Sequence, residues 1–305
     1  MLKKIPVPIA GVMLGTAALG NLLQSYSEGV RVFCGLLSAV FGLLFILKVV
    51  CYPKQVAEDM KNPIMASISA TFPMGCMLLA GYLKPVIGKP ADMIWYVAIG
   101  LHVLLILYFT WKFLLHLRME QVFASYFIVY VGIVVASVSA PVFGRQDIGM
   151  AAFWFGFVSV LILLVLVSVR YISKKNIPEP AKPLFCIYTA PVSLCLAGYV
   201  QSAQEKSAAM VIFLAVLGAV LYVLVLIKLP SFLRLKFYPS YAAFTFPFVI
   251  TAIGLKMAAG CLAGMGDHFS WLSWIVTVET VIAVLLVVYT IVCYAKFIVG
   301  TGNKR

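Results

Sequence analysis

The sequence predicts an all-α integral membrane protein: one transmembrane domain over residues 1–305 built from ten transmembrane helices. Three observations carry this expectation. Of the 305 residues, 64% are hydrophobic and only 11% are charged, whereas a soluble domain carries about a quarter charged residues. The mean hydropathy is +1.07. The apolar residues gather into runs close to the roughly 20 residues that cross a bilayer, and short, mostly basic linkers separate them. A formal charge of +13 would suggest nucleic acid in a soluble chain. Set between apolar runs, it is better explained by orientation in a membrane. Membrane lipid is therefore the expected surrounding, and no nucleic-acid partner is expected.

The first run, Pro6–Ser25, follows a basic Met1-Leu-Lys-Lys and shows no clear small-residue cleavage site. It reads as a retained helix rather than a removed signal peptide. The next runs are Val30–Cys51, Pro63–Leu83, Asp92–Leu115 and Phe123–Val142. They are followed by Ile148–Ile172, Pro183–Gln201, Ala208–Phe232, Tyr241–Cys261 and Ser270–Phe297. Short linkers make successive helices antiparallel neighbours. An even number of spans places both termini on one side. Arg31, Lys84, Lys89, Arg145, Lys206 and Lys256 fall on the other side, while most of the 23 basic residues share the side of the termini. That bias predicts cytoplasmic termini.

A repeat underlies the hydropathy. Pro8, Pro73, Pro191 and Pro247 fall within or at the start of odd-numbered runs, and the even runs read as straighter aliphatic stretches. The fifth run departs, with Pro141 at its far end and Gly132 as its interior breaker. Two runs per unit give five units of roughly 60 residues. This predicts five helical hairpins in a quasi-five-fold ring, with kinked odd helices inside and even helices outside facing lipid.

The ninth run is the most informative. Pro247 stands among Phe244, Phe246 and Phe248. A proline inside a helix removes a backbone hydrogen bond and kinks the chain. Such kinks free carbonyls and tilt small residues toward a path. The broken helices are therefore expected to surround a conduction path, with Phe246 lying across it. Phe244 and Phe248 lie two positions away, on other helical faces, so the three rings are not all expected in the path. An aromatic ring in a narrow apolar channel gates by dewetting. Gly15, Pro73, Pro191 and Pro247 are the candidate pore-lining or kink residues; Gly15 either keeps the path wide or permits close helix contact.

Glu279 is the one acid deep inside a run, and intramembrane charges are functional hypotheses by default. It reads either as a proton-coupling group or as half of a structural pair with Lys256. His102, His116 and His268 make no metal or catalytic motif, so no metal, cofactor or enzymatic activity is expected. The seven cysteines lack any Cys-x-x-Cys spacing and read as structural thiols. The odd runs carry almost no acid, so no acidic ring attracts cations. The basic face raises the local concentration of anions. Passage of anions, weakly hydrated ones favoured, is the expectation.

Four stretches carry a family resemblance: Pro8-Ile-Ala-Gly-Val-Met-Leu-Gly-Thr-Ala-Ala-Leu-Gly20, the third-run proline Pro73, Ala190-Pro191 with Cys195 and Tyr199, and Phe244-Thr-Phe246. In this order, over essentially the whole chain, the sequence resembles the tellurite-resistance/dicarboxylate transporter family, which includes the plant slow-type anion channels. The resemblance implies five hairpins around a central pore, homotrimers with one pore per subunit, and a plug at the phenylalanine matching Phe246. A bacterial inner-membrane location is expected. The resemblance leaves open channel-like passage of monovalent or small organic anions, proton-coupled carriage of C4-dicarboxylates such as malate, and tellurite or sulfite efflux. The fifth run, Ile128-Val-Tyr-Val-Gly-Ile-Val-Val, lacks the proline often found there in the family.

Overall fold

The computed structural model describes residues 2–174, 176–267 and 269–300, and every regular element among them is helical. His268, Lys175, Lys304 and Arg305, which entered the reading of histidines and of charge, lie outside the described residues. Ten apolar helical segments follow in chain order: α1 (Ile9–Leu23), α2 (Glu28–Cys51), α3 (Pro63–Ile87), α4 (Lys89–Leu114), α5 (Gly132–Phe143), α6 (Gln146–Ser173), α7 (Glu179–Ser202), α8 (Ala208–Leu233), α9 (Pro239–Gly264) and α10 (Trp271–Gly300). Eight are long and apolar enough to cross a membrane; α1 and α5 are shorter. A one-turn helix, Tyr126–Tyr130, precedes α5 and ends at the Val131–Gly132 junction.

Burial separates the long segments into two sets. In α3, α7 and α9, 61% to 89% of the most apolar window is buried within the protein; in α2, α4, α6, α8 and α10 the share is 22% to 39%. The exposed residues of the second set are large and apolar, such as Leu36, Leu104, Ile162, Ile227 and Leu285. Such a surface is stable against lipid, not water. Each even segment packs on the odd segment before it, and α1 also packs on α3 and α9, α5 on α3 and α7, and α7 on α9.

The prolines act differently from the kinks expected of them. Pro191 and Pro247 sit in the first turn of α-helices that begin at Ala190 and Phe246, and Pro73 in the first turn of the one beginning at Thr71. There a missing N–H is one of the helix's unbonded donors anyway, so the residue costs little. The break lies just before the proline. In α7 an 11-residue 3-10 segment, Glu179–Thr189, gives way to α-helix; in α9 the 3-10 segment Pro239–Phe244 ends at Thr245, whose φ of −97° and ψ of −96° leave helical geometry. Runs of 3-10 helix longer than 3–4 residues are uncommon and often mark functional hinges. The even set is not free of proline either: Pro230 lies in the last turn of α8.

Close helix contact follows from glycine at three junctions. A Cβ on Gly15 would collide with the Thr245 side chain and stand 2.8 Å from the Phe246 amide nitrogen. On Gly254 it would meet the Ser193 carbonyl oxygen at 2.7 Å. On Gly132 it would meet Met74 Sδ at 2.7 Å and His102 Cε1 at 3.0 Å. The break in α9 is thus held against α1, and the restarted helix packs closely on α7 further along, at Gly254.

Candidate functional site

Two cavities lie end to end along the odd segments. The first has a volume of about 50 Å³ and is lined by residues such as Gly11, Leu14, Met74, Phe127, Gly132, Pro191, Ala243 and Phe246. Its polar side chains are the hydroxyls of Thr71 and Ser240. The second has a volume of about 210 Å³ and carries Asn21, Gln24, Arg31, Ser139 and Gln201 among apolar residues. In α1, α3, α5, α7 and α9 alike, the residues lining the apolar cavity come earlier in the chain than those lining the polar one. The cavities are therefore stacked along the helix axes rather than side by side.

Phe246 and Leu194 are the two residues, among those described, that border both cavities. Phe246 is 6% exposed and Leu194 2%. Phe246 opens the α-helical part of α9, and Ile250, Ile253 and Met257 continue its face into the polar cavity at helical spacing. Phe244 and Phe248 line neither cavity. Phe244 packs on Tyr241 with ring centroids 4.7 Å apart, and Phe248 on Tyr222 at 5.8 Å.

The other candidate residues divide. Pro191 and Pro247 line the apolar cavity. Gly15 and Pro73 line neither; Gly15 lies behind the break in α9 and permits close contact there, which is the second of its two expected roles. The expected Glu279–Lys256 pair is not formed. Lys256 Nζ instead donates to the Leu22 carbonyl at 3.3 Å and to Ser25 Oγ at 2.6 Å. The end of α1 and the residues just after it offer these oxygens within reach, whereas Glu279 sits on α10. Glu279 is buried, lines neither cavity, and its Oε2 has no hydrogen-bond partner among the described residues. The Tyr222 hydroxyl on α8 likewise has no hydrogen-bond partner among the described residues. His102 is fully buried, with Nε2 2.9 Å from the Val129 carbonyl oxygen, and joins α4 to the segment before α5. Among the described residues, no group of three His, Cys, Asp or Glu is placed to hold a metal. All seven cysteines are free.

Sequence reasoning passed over Leu194 and the amide-bearing wall of the polar cavity. Leu194 stands three residues after Pro191, on the same face, and that spacing is its one signal.

Buried inner helices, a lipid-compatible outer surface and stacked internal cavities define a helical membrane transport protein. Residues 4–298 match the family model described as voltage-dependent anion channel, SLAC1, and the chain belongs to that family. No match is found among curated proteins. The resemblance to the tellurite-resistance/dicarboxylate transporters is borne out by this match. The chain is a multi-pass membrane protein, and anion transport across the membrane is the general activity of its family, whose members are channels or transporters rather than enzymes.

Proposed function

We propose that this chain forms an anion channel-like path, in a single transport domain, closed by the ring of Phe246. The observation that carries the reading is that Phe246 borders both cavities, so moving its ring aside joins them. Leu194 completes the constriction. The path runs along the axis of a ten-span ring of five hairpins, odd helices inside; the contacts that run from α1 through α3, α5, α7 and α9 back to α1, and the burial difference between the sets, support it. The apolar lining favours monovalent, weakly hydrated anions, since little in it replaces a tightly held water shell. We take the assembly to be a homotrimer in a bacterial inner membrane with cytoplasmic termini, a reading supported by the family resemblance and the distribution of basic residues. The test is an ion-substitution current series on purified protein in bilayers, native against Phe246→Ala. Anion currents that grow in the variant support the gate; a well-folded variant with native current sinks it.

One observation favours a second reading. Glu279 is buried with an unpartnered carboxyl oxygen, as a proton-coupled carrier of C4-dicarboxylates would use, and tellurite or sulfite efflux belongs to the same family. Reversal potentials across a pH gradient separate the two. A pure anion channel shows no proton contribution, whereas a coupled carrier shows one that Glu279→Gln removes.

A further inference from the structure

Arg31 is the one charged residue in the wall of either cavity among the described residues. Its placement is built rather than incidental. Tyr82 Oη donates to the Ala17 carbonyl at 2.6 Å, and the Tyr82 ring fits against Gly20 and Gly35, where a Cβ would collide with it. The guanidinium carbon stands 4.5 Å from the centre of that ring. Nε donates to Asn21 Oδ1 at 3.4 Å and Nη1 to Glu28 Oε1 at 2.6 Å. Nη2 makes no hydrogen bond among the described residues. The guanidinium is thus fixed from three sides, with donor capacity left over at the cavity wall beside the carboxamides of Gln24 and Gln201.

Glu28 forms an ion pair with Arg31 at 2.6 Å and offsets this charge only in part. Its side chain is 57% exposed against 16% for Arg31, so water and salt screen the acid while the guanidinium faces inward. A planar guanidinium with free N–H groups matches small planar oxyanions.

We infer that Arg31 is the anion-binding group of the polar cavity, holding a small inorganic anion such as nitrate before it meets the constriction at Phe246 and Leu194. This rests on the proposed conduction reading for its purpose, but the site is tested separately. Glu28 acts as a competitor that orients Arg31 and weakens its hold on the anion.

The first measurement is the melting temperature of the purified full chain in detergent. Nitrate replaces gluconate at constant ionic strength. A ligand that binds the folded state raises the melting temperature. Native protein is expected to be stabilised by nitrate. Arg31→Gln is expected to lose that response, and Glu28→Gln to reach half-saturation at severalfold lower nitrate. Equal responses in native protein and Arg31→Gln, or no response in native protein, overturn the assignment. If Arg31→Gln fails to fold, the exposed Glu28→Gln decides: an unchanged nitrate dependence overturns it.

The second measurement adds Arg31→Gln to Phe246→Ala and records nitrate current. A severalfold loss is expected at about 0.01 M salt, where the screening length is ~30 Å, shrinking at about 1 M, where it is ~3 Å. If Phe246→Ala conducts and Arg31→Gln changes nothing at either salt, the site fails and the path stands. If Phe246→Ala is silent while nitrate stabilisation still depends on Arg31, the site stands and the conduction reading fails.

Discussion

Removing the Phe246 ring is the most direct perturbation of the constriction. The ring lies between cavities of about 50 Å³ and 210 Å³. A water needs roughly 10–15 Å³ of such volume together with polar partners, and the apolar cavity offers two hydroxyls. It is a poor site for a continuous water column. To open, the native ring must leave its packed position, and burial of a phenylalanine side chain is worth about 1.5–3 kcal/mol. At 1.4 kcal/mol per factor of ten, Phe246→Ala removes a barrier equivalent to about ten- to a hundredfold in conductance. The stability cost lies near or below the ~3 kcal/mol end of the usual Phe→Ala range, because the ring has open space on two sides and fewer contacts to lose. The assay is nitrate and chloride current in planar bilayers, with the melting temperature and elution profile of the same preparation as the folding control. A monodisperse variant with a cooperative melt and native current would refute the reasoning.

Leu194→Ala is expected to raise anion current in the same assay, by less than Phe246→Ala. Phe248→Ala, which removes a ring facing Tyr222 rather than a cavity, is expected to cost about 3–5 kcal/mol of stability with no rise in current; a current matching Phe246→Ala would show that general loosening is enough. Gly15→Ala forces a methyl against Thr245 and the Phe246 amide and is expected to cost about 1–3 kcal/mol, read as a lower melting temperature. Thr251→Val removes a hydrogen bond from α9 to the Thr189 carbonyl of α7 and is expected to cost about 1 kcal/mol, read as a lower melting temperature with native anion current. Across an anion series at equal concentration, permeability is expected to follow ease of dehydration, with nitrate above chloride.

Much of the architecture was legible because hydropathy and burial obey the same physics. A helix facing lipid must be apolar on its surface, and one buried among other helices must be small enough to pack; the glycines of α1 and the aliphatic runs of α8 and α10 announce these two situations. The position of Phe246 between the two cavities was legible because Pro247 marks the first turn of a restarted helix. Leu194 was not, since an aliphatic residue among aliphatic residues has no chemical mark, and its direction depends on rotation accumulated before it. A 3-10 helix turns through ~20° more per residue than an α-helix. Over the 11 residues of Glu179–Thr189 the difference exceeds half a turn, so an α-helical wheel drawn from the start of α7 misplaces Leu194, and only its spacing from Pro191 within the restarted helix points to it. The Lys256–Glu279 pairing failed for a related reason: proximity in the sequence to a common loop says nothing of which neighbouring segment supplies the partner, and the end of α1 lies closer to Lys256 than α10 does.

The breaks in the inner helices pose a problem that the side chains solve in a particular way. Interrupting a helix within a membrane releases backbone carbonyls, and each must find a donor. Left facing the path, these oxygens would present the negative ends of their dipoles to it, as a cation filter does. Here hydroxyls cover them. Thr245 Oγ1 donates to the Ala242 carbonyl at 2.7 Å and Thr189 Oγ1 to the Cys186 carbonyl at 3.1 Å, both in the 3-10 segments that precede the restarted helices. The Thr189 carbonyl, directly before the restarted helix of α7, accepts from both Ser193 Oγ at 3.0 Å and Thr251 Oγ1 at 3.1 Å. The second of these bonds crosses from α9 to α7, so it ties the two breaks together as well as capping an oxygen. In the proposed path a broken helix provides the shape while hydroxyls occupy carbonyls at the breaks, and the apolar wall together with the Arg31 guanidinium of the polar cavity gives cations no favoured site. Thr251→Val loosens the tie between the two breaks without altering the lining of either cavity, whereas removing Phe246 acts on the height of the barrier, so the first should lower the melting temperature and the second raise the current if the path runs where the cavities lie.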